Sequence, residues 1–175
     1  METVLAPDPT EFRRVLGHFC SGVTIITALD PDGPVGFACQ SFASLSLDPP
    51  LVTFAVARTS KTWPRIEAAG AFGVNVLAGD QEQLCRRFAA SQTDKFAGAT
   101  WEPAPVSGSP LLTGAIAWID CSIFAVHSGG DHWIVLGRVS TMQAAESAPD
   151  PLLFSRGVFH RPWPTEIPIE PSRTI

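Results

Sequence analysis

Arg58-Thr59-Ser60-Lys61-Thr62 places two cations and three hydroxyls in five consecutive residues. The segment follows a short apolar run and precedes a helix-prone one. Cations, hydroxyls and the free amides of a helix start all favour an anion, so the indicated chemistry is capture of a phosphate. A solvated loop with a simple serine cap is the competing reading. The phosphate reading is preferred because the chain has only two lysines and Lys61 is one of them. The other stands in Ser91-Gln92-Thr93-Asp94-Lys95-Phe96. That loop suits closure over a ligand through Lys95 and Phe96, although surface polarity with one core anchor explains it slightly better. Gln40-Ser41-Phe42-Ala43-Ser44 sets small polar groups inside an apolar strand region, as either an edge strand or the lining of a site. Gly129-Gly130-Asp131-His132-Trp133 is a hairpin turn followed by a His-Trp pair. Side chains alternate along a strand, so one of that pair faces the site side of its sheet. A lone histidine is more often structural.

Other chemistries lack their residues. The chain has no tyrosine, no G-x-S-x-G elbow and neither of the glycine-rich nucleotide fingerprints. His18, His127, His132 and His160 show no zinc-ligand spacing, so no metal site is expected. Cys20, Cys39, Cys85 and Cys121 form no C-x-x-C pair, and each lies in an apolar neighbourhood. They read as small buried hydrophobes in a reducing cytoplasm. Twelve basic against 17 acidic residues give a net charge of −5, which argues against a nucleic-acid partner. No apolar run approaches the ~20 residues of a membrane span, and no signal pattern opens the chain, so a soluble cytoplasmic protein is expected. A phosphate site with few acid–base groups and apolar walls fits a cofactor that brings its own chemistry.

The elements that must hold these segments follow from turn and cap signals. The 175 residues read as a single domain over 1–175, with a core at about 9–161 and a proline-rich extended tail over 162–175. Asp8-Pro9-Thr10-Glu11 predicts a helix start. Residues 22–29 and 34–39 predict a hairpin across Asp30-Pro31-Asp32-Gly33. Short strands are expected over 42–45, 51–57 and 71–77, with a helix from Ser60 or Thr62 to Ala69. Asp80 is expected to cap a helix over 81–90. The stretch 91–110 reads as irregular. Residues 112–127 and 132–139 predict a long two-stranded arm, and 151–154 with 158–160 a last short hairpin. Seven or so short strands with two or three helices suggest a mainly β, closed antiparallel barrel.

The ordered set of motifs resembles the flavin reductase family. It comprises Ser21-Gly22-Val23-Thr24, Gly36-Phe37-Ala38-Cys39-Gln40-Ser41-Phe42-Ala43-Ser44, Asp48-Pro49-Pro50-Leu51-Val52, Ser60-Lys61-Thr62, Phe72-Gly73-Val74-Asn75-Val76-Leu77, Asp94-Lys95-Phe96, Gly130-Asp131-His132 and Pro151-Leu152-Leu153-Phe154. The similarity runs from about Pro9 to Arg161. It implies an antiparallel split β-barrel that binds FMN, arranged as a homodimer with flavin near the subunit interface. It implies an NAD(P)H:flavin oxidoreductase that passes diffusible reduced FMN or FAD to a separate monooxygenase acting on an aromatic or steroid-derived phenol. The scarcity of spare cations near the nicotinamide motifs tilts the donor toward NADH over NADPH. By the resemblance, Ala38, Cys39, Gln40, Ser41 and Phe42 line the flavin ring. Ser60, Lys61 and Thr62, with Arg58, hold its phosphate, and Lys95 and Phe96 close on the phosphate end. His132 lies beside the nicotinamide, bordered by Phe154, Arg156 and Phe159. Ala38 and Gln40 depart from the Thr and Asn or Ser common in the family. Phe154 and Phe159 stand where tyrosine is common. A non-catalytic flavin-binding or redox-sensing protein of the same fold is the alternative.

Overall fold

Val52, Phe54 and Val56 alternate along one strand and turn their side chains into a shared apolar interior. That alternation repeats from strand to strand and organises the molecule. The computed structural model describes residues 8–91, 94–147 and 149–162. Of the tail expected over 162–175, all but Pro162 lies outside the described residues, as do Gln92 and Thr93.

The elements are α1 (Pro9–Leu16), β1 (Ser21–Gly22), β2 (Thr24–Asp30), β3 (Gly33–Cys39), β4 (Ala43–Leu47), β5 (Pro50–Ala57), α2 (Trp63–Ala69), β6 (Ala71–Val76), α3 (Glu82–Ala89), β7 (Trp101–Pro103), β8 (Pro110–Leu112), β9 (Ala117–Gly129), β10 (His132–Ala144), β11 (Leu153–Ser155) and β12 (Val158–His160). Asp8 caps α1 as expected, its carboxylate accepting the amide of Glu11 at 3.3 Å. Among the described residues no helix is long and apolar enough to cross a membrane.

Seven strands form one antiparallel sheet in the order β3-β2-β6-β9-β10-β5-β4. The expected closed barrel is therefore corrected: the sheet is open, with β3 and β4 as its two edges. The chain path explains the gap. β3 runs directly into β4 through residues 40–42, and β4 takes its partners from β5. At the end of β3, Thr24 Oγ1 donates to the Cys39 carbonyl at 3.0 Å, so that group is already satisfied. Side chains bridge what the backbone leaves open: Phe37 of β3 and Phe54 of β5 lie 6.0 Å apart. Phe54 also meets Phe72 edge-on at 5.2 Å, a favourable aromatic geometry. The strand opposite must be bare to admit that ring: a Cβ at Gly137 would stand 2.3 Å from Phe72 Cζ.

A second apolar cluster lies beneath α3. It joins Val23, Ile25, Leu77, Cys85, Phe88, Leu112 and Leu152. Two further differences from the sequence reading concern helix and strand starts. α3 begins at Glu82, and neither Asp80 nor Gln81 caps it with a side chain. Gln81 instead accepts the Ala78 amide and donates to the Thr113 carbonyl, both at 3.0 Å. The long arm begins at Ala117 because Gly114, at φ 82°, breaks the run and detaches β8. β10 extends beyond the expected Val139 to Ala144, paired with β9 throughout.

Candidate active site

On β5 and β10, His132 stands opposite Ala57, and Ile134 opposite Ala55. Val56 and Val135 point into the core. By alternation, Ala55, Ala57, His132 and Ile134 face outward. Trp133 packs against the core, so His132 is the member of the His-Trp pair on the outer face. Its Nδ1 lies 2.7 Å from Asp131 Oδ1, a pairing that holds the Asp131 carboxyl below its ordinary pKa. A floor of alanines beside an imidazole leaves room for flat rings.

Ser41 ties the crossing between β3 and β4 to this floor. Its hydroxyl accepts the Ala55 amide at 2.8 Å and donates to the Ala55 carbonyl at 3.0 Å. Ser41 is thereby fixed at the level of Ala55, one strand away from β10. Strand spacing and rise put its Cα roughly 12 Å from that of His132. Phe42 turns back and packs on the core, while Gln40 is exposed.

The segment 58–62 leaves β5 at the same end. Its two cations behave differently. Arg58 donates from Nε to the Gly130 carbonyl at 2.9 Å and from Nη2 to Ser128 Oγ at 2.6 Å, and it lies 3.6 Å over the Trp133 ring. Lys61 is exposed. Fewer amides are free than the sequence suggested. α2 has only seven residues, and Ser60 Oγ already accepts the Trp63 amide at 3.2 Å. Lys61 with the Thr59 and Thr62 hydroxyls remains a donor set of the kind a phosphate needs.

A second group of candidates gathers on the other side of the crossing. Ala38, Phe96, Phe154 and Phe159 all border the cluster beneath α3. Phe96 is committed to that packing, with its ring 5.0 Å from Phe88. Lys95 donates to the Gly36 carbonyl at 3.1 Å, and partial burial draws its pKa below the usual lysine value. Phe154 and Phe159 stack edge-on at 5.0 Å, and the Arg86 guanidinium lies 4.9 Å from the Phe159 ring. Arg156 is exposed in a left-handed turn residue at φ 48°, and its amide donates to the Gly17 carbonyl at 2.7 Å. The stretch 38–42 joins the two groups, since Ala38 borders one and Ser41 the other.

The cysteine expectation holds for three residues of four. Burial pushes the Cys39 thiol up, that of Cys85 to about 11 and that of Cys121 to about 12. Cys39 points into the interior, so only its backbone can border a ligand. Cys20 is exposed, contrary to the reading of its apolar neighbourhood. Sequence reasoning also missed a cleft of about 420 Å³ where Gly79, Asp80, Phe159, His160 and Arg161 meet. Arg161 closes one wall by donating to the Gly79 carbonyl at 3.0 Å. Of its lining, Phe159 is a residue the resemblance places at the nicotinamide border, and Asp80 is one the sequence reads as a helix cap.

The family described as flavin reductase like domain matches residues 16–162. The chain belongs to the flavin reductase family. A flavin-dependent monooxygenase reductase subunit, HsaB, from Rhodococcus jostii is 53% identical over 170 residues, covering 97% of this chain and 83% of that protein. An FMN reductase (NADH), SmoA, from Agrobacterium fabrum is 42% identical over 150 residues, covering 86% and 84% of the two chains. Among solved structures, the Streptomyces globisporus NADH:FAD oxidoreductase SgcE6, in complex with NAD and FAD fragments, superposes with a TM-score of 0.88 at 38% identity. That match covers 95% of this chain and 100% of the other. Flavin reductase membership thus covers both groups of candidate residues and the crossing between them.

Proposed function

We propose that this flavin reductase works as the reductase component of a two-component monooxygenase, taking hydride from NADH and releasing reduced flavin to its partner. The observation that carries this reading is the outward His132 on an alanine floor, two residues along the strand from the level at which Ser41 pins the crossing. The chemistry a bound flavin supplies is acceptance of a hydride from the nicotinamide. The chain's own residues bind and orient. Ala55 and Ala57 leave space for planar rings, and stacking at roughly 3–3.5 Å is what orientation must achieve. His132 positions the nicotinamide; with no tyrosine in the chain and no base required, it need not move a proton. Lys61, Ser60 and Thr62 hold the flavin phosphate, and Lys95 serves the same end of the cofactor.

FMN and FAD share the riboflavin 5′-phosphate that these donors meet, so both are proposed as substrates. The homologues named above include one FMN and one FAD enzyme. The partner is proposed to hydroxylate an aromatic or steroid-derived phenol, on the resemblance alone. A homodimer is proposed because the outer face of β4, β5 and β10 presents alanines with Ile134, and Leu45 beside them, to solvent. NADH oxidation measured with added FMN and FAD tests the reading: turnover with either supports it, whereas flavin binding without turnover favours the non-catalytic alternative. H132A is expected to raise the NADH KM about tenfold while flavin still binds. Unchanged stopped-flow flavin reduction in H132A would remove His132 from the site.

A further inference from the structure

We propose that Arg58 is a positioning residue that locks the His132 hairpin to the end of β5, and not a ligand of the flavin phosphate. The proposal rests on the reading of His132 as the nicotinamide-side residue. Arg58 holds two consecutive turn carbonyls immediately before His132. Its side chain takes the Gly130 carbonyl at 2.9 Å, and its amide takes the Asp131 carbonyl at 3.0 Å. From the same guanidinium edge, Nη2 reaches Ser128 Oγ at 2.6 Å on the far strand of the hairpin. One face of the guanidinium is covered by Trp133 at 3.6 Å.

Beyond the ladder pairs of His132 with Gly129 and Ala57, few side chains of the turn itself fix it. Gly129 and Gly130 carry no side chains, and Gly130 sits at φ 69°. Turning Arg58 toward a phosphate would forfeit the stack and two hydrogen bonds together. The planar fork makes these contacts at once, which an ammonium cannot. Arg58 thus connects the segment that leads to Lys61 with the strand that begins at His132. A change at this residue is read at the nicotinamide, not at the phosphate.

R58K, R58A, H132A and the double variant R58A/H132A separate the possibilities. In flavin-free protein, amide exchange at residues 129–132 is expected to accelerate about tenfold in R58K. The NADH KM is expected to rise about tenfold in R58K, and R58A is expected to add nothing when H132A is already present. The ratio of FMN to riboflavin affinity, read from flavin fluorescence, is expected to stay within about twofold of wild type. A fall in FMN affinity with riboflavin unaffected and turn exchange unchanged would overturn the proposal. So would additive losses in the double variant. Should R58A fail to fold, S128A removes one contact only, and unchanged turn exchange there also overturns the lock. If H132A itself leaves NADH kinetics unchanged, the site reading falls and the positioning role with it. If H132A loses function and R58K does not, the Arg58 proposal fails alone.

Discussion

Arg58 and Lys61 carry the same charge three residues apart, and their surroundings divide their work. Arg58 is held on three sides by the β9–β10 hairpin. Lys61 faces solvent, where an anion can reach it. K61A is therefore expected to weaken FMN about tenfold, the range of one hydrogen bond to a charged group, and to leave riboflavin untouched. Equal losses for the two flavins in an equilibrium titration would refute the phosphate role. Residue type alone made the segment legible as cationic, but it could not say which cation was spoken for. That depended on Trp133 and Ser128, some 70 positions away in the chain. Phe96 shows the same limit: the sequence offered a ligand clamp or a core anchor, and Phe88 settles its ring in the core. Lys95 is the intermediate case. Its charge is disfavoured by partial burial, so a phosphate drawn to it would favour the charged form and return its pKa upward.

At the scale of elements, Asn75 joins its own strand β6 to β2 and β8. Its amide donates to the Ile25 carbonyl, Thr27 Oγ1 and the Pro110 carbonyl, and its oxygen accepts the Leu112 amide at 2.7 Å. N75A leaves the buried Leu112 amide without its acceptor and removes the side-chain donor to β2 and β8, so a loss of about 3 kcal/mol in chemical denaturation is expected. A loss below about 1 kcal/mol would mean that water replaces the side chain. A second link ties α2 to the β2–β3 turn. Arg65 grips Asp30 with two contacts of 2.6 Å and holds its carboxyl below the usual value. A depressed carboxylate adds stability above its unfolded pKa, about pH 4, and that contribution fades as acid protonates it. The gap in urea midpoint between wild type and R65Q is therefore expected to be wide at pH 7 and to narrow by pH 3. A constant gap would show that the pair does not titrate with folding. Most elements were readable from turn residues and alternation, because both are local. The start of α3 was not, since Gln81 spends its side chain on Ala78 and Thr113 instead of the helix. Nor was the open sheet, since strand order depends on partners far apart in sequence.

At the scale of the whole molecule, apolar surface remains without a cover among the described residues. Ile134 and Leu45 are exposed near the site, and Phe12, Val15, Leu16 and Phe19 are exposed on and after α1. Exposed apolar surface of this kind marks an association surface. I134E places a charge on the face proposed for the homodimer and is expected to shift sedimentation toward the monomer, with NADH turnover falling alongside. An I134E protein that sediments like wild type would remove that face from the interface. Composition announced a folded, acidic, tyrosine-free chain, but it held no information about which apolar residues would stay outside. The unclosed sheet has a last consequence. β3 is an edge strand, and the unpaired backbone groups of an edge are the ordinary template for aggregation. Lys95 already occupies one such acceptor, the Gly36 carbonyl, so the residue proposed for the flavin phosphate also blunts that edge at one point.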